Sequence, residues 1–213
     1  HNCYMGPCRI NPRGKSPQKG VCGATAETIV ARNFARMIAA GAAAHGEHGR
    51  EVARTLLLAA RNPDSGFSIK DTSKLHKVAR VLGIKVNSRK KEDIAAEVAL
   101  KTLGYFGNQG DEEIPFLRLA PEKRQAVWRE LGVMPRGIDR EIVEMMHRTT
   151  MGVDEDYRNI MLHGARTALA DGWGGSMVAT ELQDILFGTP SPIRGKVNLG
   201  VLSETEVNIV VHG

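Results

Sequence analysis

The stretch TAETIVARNFARMIAAGAAA, residues 25–44, decides the fold class of this 213-residue chain. Large apolar side chains recur in it at the spacing of one helical face, and Thr25 stands where an N-cap residue is expected. The pattern therefore predicts a helix over residues 25–44. The apolar residues that carry it are Ile29, Val30, Phe34, Met37 and Ile38.

The same periodicity predicts helices along most of the remaining chain. Hydrophobic residues make up 42% of the sequence and aromatic residues only 5%, a composition that favours close-packed helices over a sandwich. We therefore predict a mainly α fold. The further helices are predicted at about 47–60 (stopped by Asn62-Pro63), 71–83 (capped by Asp71-Thr72-Ser73), 87–106 (capped by Asn87 or Ser88), 121–132, 139–150, 154–170 and 179–186.

The character of the sequence changes after Gly188. Residues 188–195 are a turn-rich connector, and residues 206–213, EVNIVVHG, are typical of a buried strand in a parallel sheet. A lone buried strand would leave its backbone groups unpaired, so its partners are expected outside this chain. We predict a helical N-terminal domain over residues 1–202 and, over residues 203–213, the first strand of an α/β (Rossmann-like) domain whose remainder is absent here.

All three cysteines lie within the first 22 residues, as Cys3, Cys8 and Cys22. Thiolates gathered in a Gly/Pro-rich loop favour an iron–sulfur cluster, whose irons need soft anionic ligands. A zinc site and three unrelated buried thiols are the alternatives. Four thiolates normally hold a cubane cluster, so we expect a fourth ligand before His1. Cysteines that ligate metal are more natural in a reducing cytoplasm.

The net charge of +5 does not indicate a nucleic-acid partner. Lys and Arg are scattered, and the densest run, residues 89–91, is followed by two acidic residues without interleaved aromatics. Compensation of an anionic cluster is a second use for the excess charge. No apolar run approaches the roughly 20 residues that span a bilayer, so no integral membrane segment is predicted.

Four polar residues are candidates for chemistry. His45 and His48 would share one face of a helix, which suits proton transfer or metal binding, although helix-terminal histidines without a role are the alternative. Asp171, in the block DGWGGS, could orient an imidazole, or could belong to a glycine C-cap. His212 ends the predicted strand, where it could be a metal ligand or a structural histidine.

Taken together and in order, five blocks resemble the anaerobic nickel-containing carbon monoxide dehydrogenases over essentially the whole chain. The resemblance implies an oxidoreductase that interconverts CO and CO2 (CO + H2O gives CO2, two protons and two electrons) at a nickel–iron–sulfur cluster of the Ni-4Fe-4S type. Electrons would pass through 4Fe-4S clusters. The blocks are CYMGPCRI (3–10), GVCGATAETI (20–29), GAAAH (41–45), DGWGGSM (171–177) and VNIVVHG (207–213).

The resemblance also implies which residues bind the clusters. Cys3, Cys8 and Cys22 match three of the four ligands of the relay 4Fe-4S cluster. His212 matches the histidine that binds the pendant iron of the nickel cluster. The cysteine ligands of the nickel cluster and a catalytic lysine would lie in domains that this chain lacks.

The acid–base residues implied by the resemblance lie in the middle of the chain. His45 matches the histidine beside bound CO or CO2, Asp171 resembles its carboxylate neighbour, and His48 matches the next residue of a proton path. Some members continue the row with further histidines, where this chain has Glu51 and Arg54. We expect His45 at the inner end of its helix, facing the same pocket as His212, with Asp171 near enough to orient it.

The resemblance further implies a cytoplasmic homodimer that delivers electrons to an acceptor such as ferredoxin, and it leaves open an acetyl-CoA synthase partner. A hybrid-cluster protein of the hydroxylamine-reductase kind is the first alternative; it shares cysteine loops like GVCG, but the Ala-rich stretch before His45 and the Asp171-Gly-Trp block are not expected in it. The second alternative is a non-catalytic iron–sulfur electron-transfer module, or a zinc-binding one.

Overall fold

The computed structural model describes Cys3, Cys8, Ile10, Asn11, Val207 and residues 13–15 and 17–192. The regular structure of these residues is helical, which confirms the mainly α class. The predicted strand lies outside the described residues except for Val207. The helices are α1 (Ala26–Arg61), α2 (Thr72–Val81), α3 (Lys91–Gly104), α4 (Glu122–Glu130), α5 (Ile138–Arg148), α6 (Tyr157–Ala170) and α7 (Met177–Phe187), with a 3-10 helix at Pro115–Leu119 and a π-helical segment at Asp171–Ser176.

Helix α1 is continuous over 36 residues, so the prediction of two helices separated near residue 45 was wrong. The Thr25 side chain accepts a hydrogen bond from the Thr28 N–H at 3.4 Å, and Asn62 is the C-cap, as predicted. A glycine inside a helix costs about 1 kcal/mol relative to alanine, which tertiary packing can offset. His45 therefore lies in the middle of α1, and its predicted position at a helix end was also wrong.

Helix α1 is the central element of the fold, because α3, α5, α6, α7 and the π-helical segment all pack on it. Its first half contributes Ala31, Ala35 and Ala39 to a small core completed by Met145 and Ile160. Its second half joins the main core, together with residues of α2, α3 and α7. The small side chains of the first half let α5 and α6 approach the helix closely.

The caps of the next two helices gave one correct and one wrong prediction. Asp71 caps α2, since its Oδ1 accepts from the Lys74 N–H at 2.8 Å. Helix α3 begins after Lys90 without a side-chain cap, and Ser88 instead takes a positive φ of 57°. Within the described ranges, no helix combines the length and the apolar character that a membrane crossing needs.

A buried carboxylate ties α5 to α6. Glu141 is fully buried, and its oxygens lie 3.0 Å from Arg136 Nε, 2.8 Å from Arg166 Nε and 3.3 Å from His163 Nε2. Burial opposes ionisation of Glu141, but the His163 ring and the Arg136 side chain and backbone N–H together hold its pKa well below the usual range. The carboxylate is therefore charged. It joins α5 to α6, and these two helices pack on the first half of α1.

Glu141→Gln should lower the free energy of local opening of α5 and α6 by about 1.5–3 kcal/mol, because it removes the buried charge that Arg136 and Arg166 contact and leaves these guanidinium groups with the partly exposed Glu144 alone. Hydrogen exchange of the α5 and α6 amides in the intact protein measures this loss. Glu113→Gln is the control: its pair with Arg129, at 2.8 Å, is exposed, and its loss should leave the protection of the α5 and α6 amides unchanged. Equal losses in the two variants would contradict the assignment.

Candidate functional site

His45 and Asp171 meet although 126 positions separate them in the sequence. His45 Nδ1 lies 2.8 Å from Asp171 Oδ1, and Ser176 Oγ donates to the same carboxylate oxygen at 3.1 Å. The His45 side chain is 62% exposed, and its Nε2 has no hydrogen-bond partner among the described residues. A carboxylate on Nδ1 keeps the proton there, so Nε2 is the nitrogen that can accept a proton from outside.

Glycines bring the two side chains together. A Cβ added to Gly49 would lie 2.5 Å from the Gly175 carbonyl oxygen, and one added to Gly175 would lie 2.8 Å from Gly46 Cα. The backbone of α1 therefore touches the backbone of the π-helical segment, which only glycine permits. The two glycines of α1 at this contact, Gly46 and Gly49, follow His45, whereas a Cβ added to Gly41, in the Ala/Gly-rich run before His45, would meet nothing within 4 Å.

The block DGWGGS is neither a C-cap nor a turn, because the chain continues through it in π-helical form from α6 into α7. Trp173 holds this segment from the outside, with its ring centroid 6.1 Å from that of Trp128 in α4. A Cβ on Gly174 would lie 2.8 Å from an Ile138 side-chain carbon, so α5 closes the remaining side. Single π-helical turns occur often at functional sites, and here one presents Asp171 to α1.

His48 follows His45 after one turn of α1. The Gln183 side-chain nitrogen lies 3.3 Å from His48 Nε2, which holds the ring against α7. Glu51 and Arg54, at the next two positions of this row, form an exposed ion pair with each other. The row therefore contains two histidines followed by a charged pair.

The three cysteines, each of them a described residue, precede α1 in the sequence. Arg32 Nη1 donates to both Cys3 Sγ (3.4 Å) and Cys22 Sγ (3.7 Å). Cys8 Sγ lies 3.3 Å from where a Cβ on Gly20 would be, two residues from Cys22. The backbone N–H of Ala24, assisted by Arg32, holds the pKa of Cys22 below its ordinary value. Sequence reasoning predicted that these thiols converge, and their role as cluster ligands stays a prediction.

Arg32 is a site residue that the sequence analysis missed. It is fully buried, and its second guanidinium nitrogen donates to the Asp154 carbonyl oxygen. The available signal was its register, because Arg32 shares the buried face of α1 with Thr28 and Ala35. A buried cation aimed at sulfur suits thiolates that carry negative charge, so these residues fit an iron–sulfur cluster.

His212 lies outside the described residues. That it faces the same pocket as His45 and that it binds a metal both stay predictions.

The described residues combine a helical fold with cysteines ahead of its longest helix and a histidine–carboxylate pair at the middle of that helix, which are the kinds of side chain that a metal–sulfur oxidoreductase uses. All 213 residues match one family, described as Prismane/CO dehydrogenase. The chain belongs to this family, and the resemblance inferred from the sequence is confirmed at that level.

Named relatives agree with this assignment. The chain is 55% identical over 214 residues to carbon monoxide dehydrogenase 1 of Methanosarcina acetivorans, covering 100% of this chain and 34% of that protein. It is 48% identical over 212 residues to carbon monoxide dehydrogenase 2 of Carboxydothermus hydrogenoformans, covering 100% and 33%. The chain thus spans about a third of the length of the curated relatives it matches.

Solved structures show the same fold. A Ni-free carbon monoxide dehydrogenase from Thermococcus sp. AM4 superposes with a TM-score of 0.87 at 53% identity, over 96% of this chain and 32% of that chain. A structure of acetyl-CoA synthase/carbon monoxide dehydrogenase gives a TM-score of 0.84 at 40% identity, over 91% of this chain and 29% of that chain.

Gly49→Ala should force α1 away from the π-helical segment, because the new methyl group would lie 2.5 Å from the Gly175 oxygen. We expect the free energy of local opening of residues 171–176 to fall by about 1–3 kcal/mol, the usual cost of overpacking. Amide exchange of that segment is the measurement. Gly41→Ala, on the same helix with nothing within 4 Å of the added Cβ, should be neutral or stabilising by up to about 1 kcal/mol. Unchanged protection in Gly49→Ala would show that the contact is not tight.

Proposed function

We propose that this chain functions in a carbon monoxide dehydrogenase that interconverts CO and CO2, with water supplying the oxygen and two electrons leaving the site. The observation that carries the proposal is the His45–Asp171 contact of 2.8 Å, fixed by the backbone contact between α1 and the π-helical segment. The identity of 45–55% with proteins named carbon monoxide dehydrogenase from three genera supports the substrate class.

Two kinds of cluster belong to this proposal. A 4Fe-4S relay cluster would be held by Cys3, Cys8 and Cys22 with a fourth ligand from outside this chain, and the soft donors and the buried Arg32 beside them support that assignment. His212 would be a ligand of the nickel–iron–sulfur cluster. When bound, that cluster would supply Lewis acidity and take up the two electrons.

In this proposal, His45, Asp171 and His48 transfer the protons that the reaction releases. Asp171 accepts the hydrogen bond from the His45 Nδ1–H, which leaves the Nε2 lone pair able to receive a proton released from water. The negative charge of Asp171 then stabilises the imidazolium that forms. His48, one turn along α1, would take the proton next, with Gln183 orienting its ring. We end the histidine path at His48, because Glu51 is engaged by Arg54.

Partners and location follow from the same proposal. We propose a cytoplasmic homodimer that passes electrons to an acceptor such as ferredoxin. An acetyl-CoA synthase is a candidate partner, because one structural relative is an acetyl-CoA synthase/carbon monoxide dehydrogenase. Exposed apolar side chains near the start of α1, including Val30, Phe34 and Met37, provide a surface for further protein to cover. We propose the domain division at residue 202 on the sequence pattern alone.

His45→Ala should reduce CO-dependent dye reduction by the holoenzyme by roughly 10²-fold or more, the usual effect of losing a general acid–base group. Iron and nickel content should not change, because His45 is not proposed as a ligand. His147→Ala is the control, because it removes an exposed histidine of α5 that is not proposed to take part in the reaction. It should leave the rate unchanged. Full activity in His45→Ala, or absence of nickel in the wild-type protein, would contradict the proposal; the latter would favour a hybrid-cluster reductase.

His212→Ala should give a different result, because removing a ligand leaves the pendant iron under-coordinated. We expect lower nickel and iron content together with lost activity. Metal analysis of His212→Ala beside His45→Ala separates a ligand from an acid–base residue, and equal metal content in the two variants would show that these roles are wrongly assigned.

A further inference from the structure

A buried guanidinium lies between the cysteine loop and the helical body. Arg32, in the second turn of α1, has no exposed surface. Its Nη1 donates to Cys3 Sγ at 3.4 Å and to Cys22 Sγ at 3.7 Å, while its Nη2 donates to the Asp154 carbonyl oxygen. One side chain thus contacts two of the three sulfurs and anchors them to the loop before α6.

No carboxylate neutralises Arg32 among the described residues. Its contact with Asp154 is to the backbone, because the Asp154 carboxylate pairs with Arg148 at 2.6 Å. Its Nε is buried and has no acceptor in the described part of the chain. A buried cation left without an anion is strongly unfavourable, and the groups that Arg32 faces are the sulfurs of Cys3 and Cys22.

The guanidinium is held in place by further polar contacts. Arg148 Nη1 binds the Asp154 carboxylate, Arg148 Nε donates to His163 Nδ1 at 2.9 Å, and His163 Nε2 lies 3.3 Å from Glu141. These contacts link Arg32, through Asp154, to the buried Glu141 between α5 and α6. The positive charge beside the sulfurs is therefore fixed in position.

We propose that Arg32 sets the reduction potential of the iron–sulfur cluster that Cys3, Cys8 and Cys22 would hold, an inference that rests on the cluster assignment in the proposed function. Adding an electron makes such a cluster more negative. A fixed cation and N–H donors to the ligand sulfurs stabilise the reduced form, and more so where water is excluded. Arg32 should therefore raise the potential, which favours acceptance of electrons by this cluster.

The test is a potentiometric titration of the holoenzyme, followed by the electron paramagnetic resonance signal of the reduced cluster. The signal that Cys22→Ala abolishes identifies the relevant cluster. Arg32→Gln should shift its oxidised–reduced equilibrium toward the oxidised form by tenfold or more, which for one electron lowers the midpoint potential by at least about 59 mV. An unchanged midpoint in a variant that retains its iron would overturn the proposal.

Arg36→Gln is the matched control. It removes the same charge from the same helix one turn later, where Arg36 Nη2 donates to the Met146 carbonyl oxygen at 3.3 Å and no contact with a cysteine is present among the described residues. The midpoint potential should stay at the wild-type value. A shift equal to that of Arg32→Gln would show a general charge effect and would overturn the assignment to Arg32.

Arg32→Lys decides the matter if Arg32→Gln loses its iron. Lysine keeps the charge but presents a single nitrogen that cannot reproduce the contacts with both sulfurs and Asp154. We expect normal iron content and a midpoint lowered by less than a tenfold shift of the equilibrium. Loss of iron in both variants, or a wild-type midpoint in Arg32→Lys, would overturn the proposal.

Failure of the proposed function gives a different result. A wild-type holoenzyme with a titrating cluster but no CO-dependent dye reduction would contradict the function and would leave the Arg32 comparison intact. Full CO-dependent activity with equal midpoints in all variants would contradict the inference on Arg32 alone.

Discussion

The contact between two backbones, α1 at Gly46 and Gly49 and the π-helical segment at Gly175, is the constraint on which the candidate active site depends. Atoms of the two main chains are close enough that a Cβ on Gly49 or Gly175 would fall within 2.5–2.8 Å of the opposite backbone. His45 lies on α1 beside this contact, and Asp171 lies beside it on the π-helical segment. The close approach of the two backbones brings His45 Nδ1 to 2.8 Å from Asp171 Oδ1. Larger residues would separate the elements by the width of a methyl group and break this hydrogen bond.

A single continuous helix fixes the distance between the two candidate sites. Arg32 faces the cysteine sulfurs near the start of α1, and His45 lies 13 residues further along, about 20 Å at 1.5 Å per residue. The cap at Thr25 and the buried Glu141 cluster stabilise the first half of the helix, while the main core holds the second half. If α1 were broken at Gly46, the distance between the two candidate sites would no longer be fixed. Tertiary packing keeps the helix continuous through this residue.

Most local interactions could be predicted from the sequence, with the cap of α3 as an exception, and contacts between distant segments could not. The Thr25 and Asp71 caps and the end of α1 at Asn62 depend on neighbouring residues, so their patterns were sufficient. A break between two helices was predicted near residue 45 because the packing that offsets the cost of glycine there, such as the contact of Gly49 with Gly175, joins residues 126 positions apart. The π-helical form of residues 171–176 and the role of Arg32 were missed for the same reason, because both depend on contacts with residues distant in the sequence. The candidate residues His45 and Asp171 were found singly by chemistry and as a pair only through the family resemblance.

The two candidate sites along α1 place charges of opposite sign beside their functional groups: a carboxylate beside His45 and a guanidinium beside the cysteine sulfurs. In the proposed oxidation of CO, protons and electrons leave the same centre. Asp171 offers a negative charge to His45, which stabilises the imidazolium that proton uptake creates. Arg32 offers a positive charge to the cysteine sulfurs, which stabilises an added electron on a cluster held there. Because each fixed charge favours one product and disfavours the other, the helix would direct protons toward its middle and electrons toward its N-terminal end.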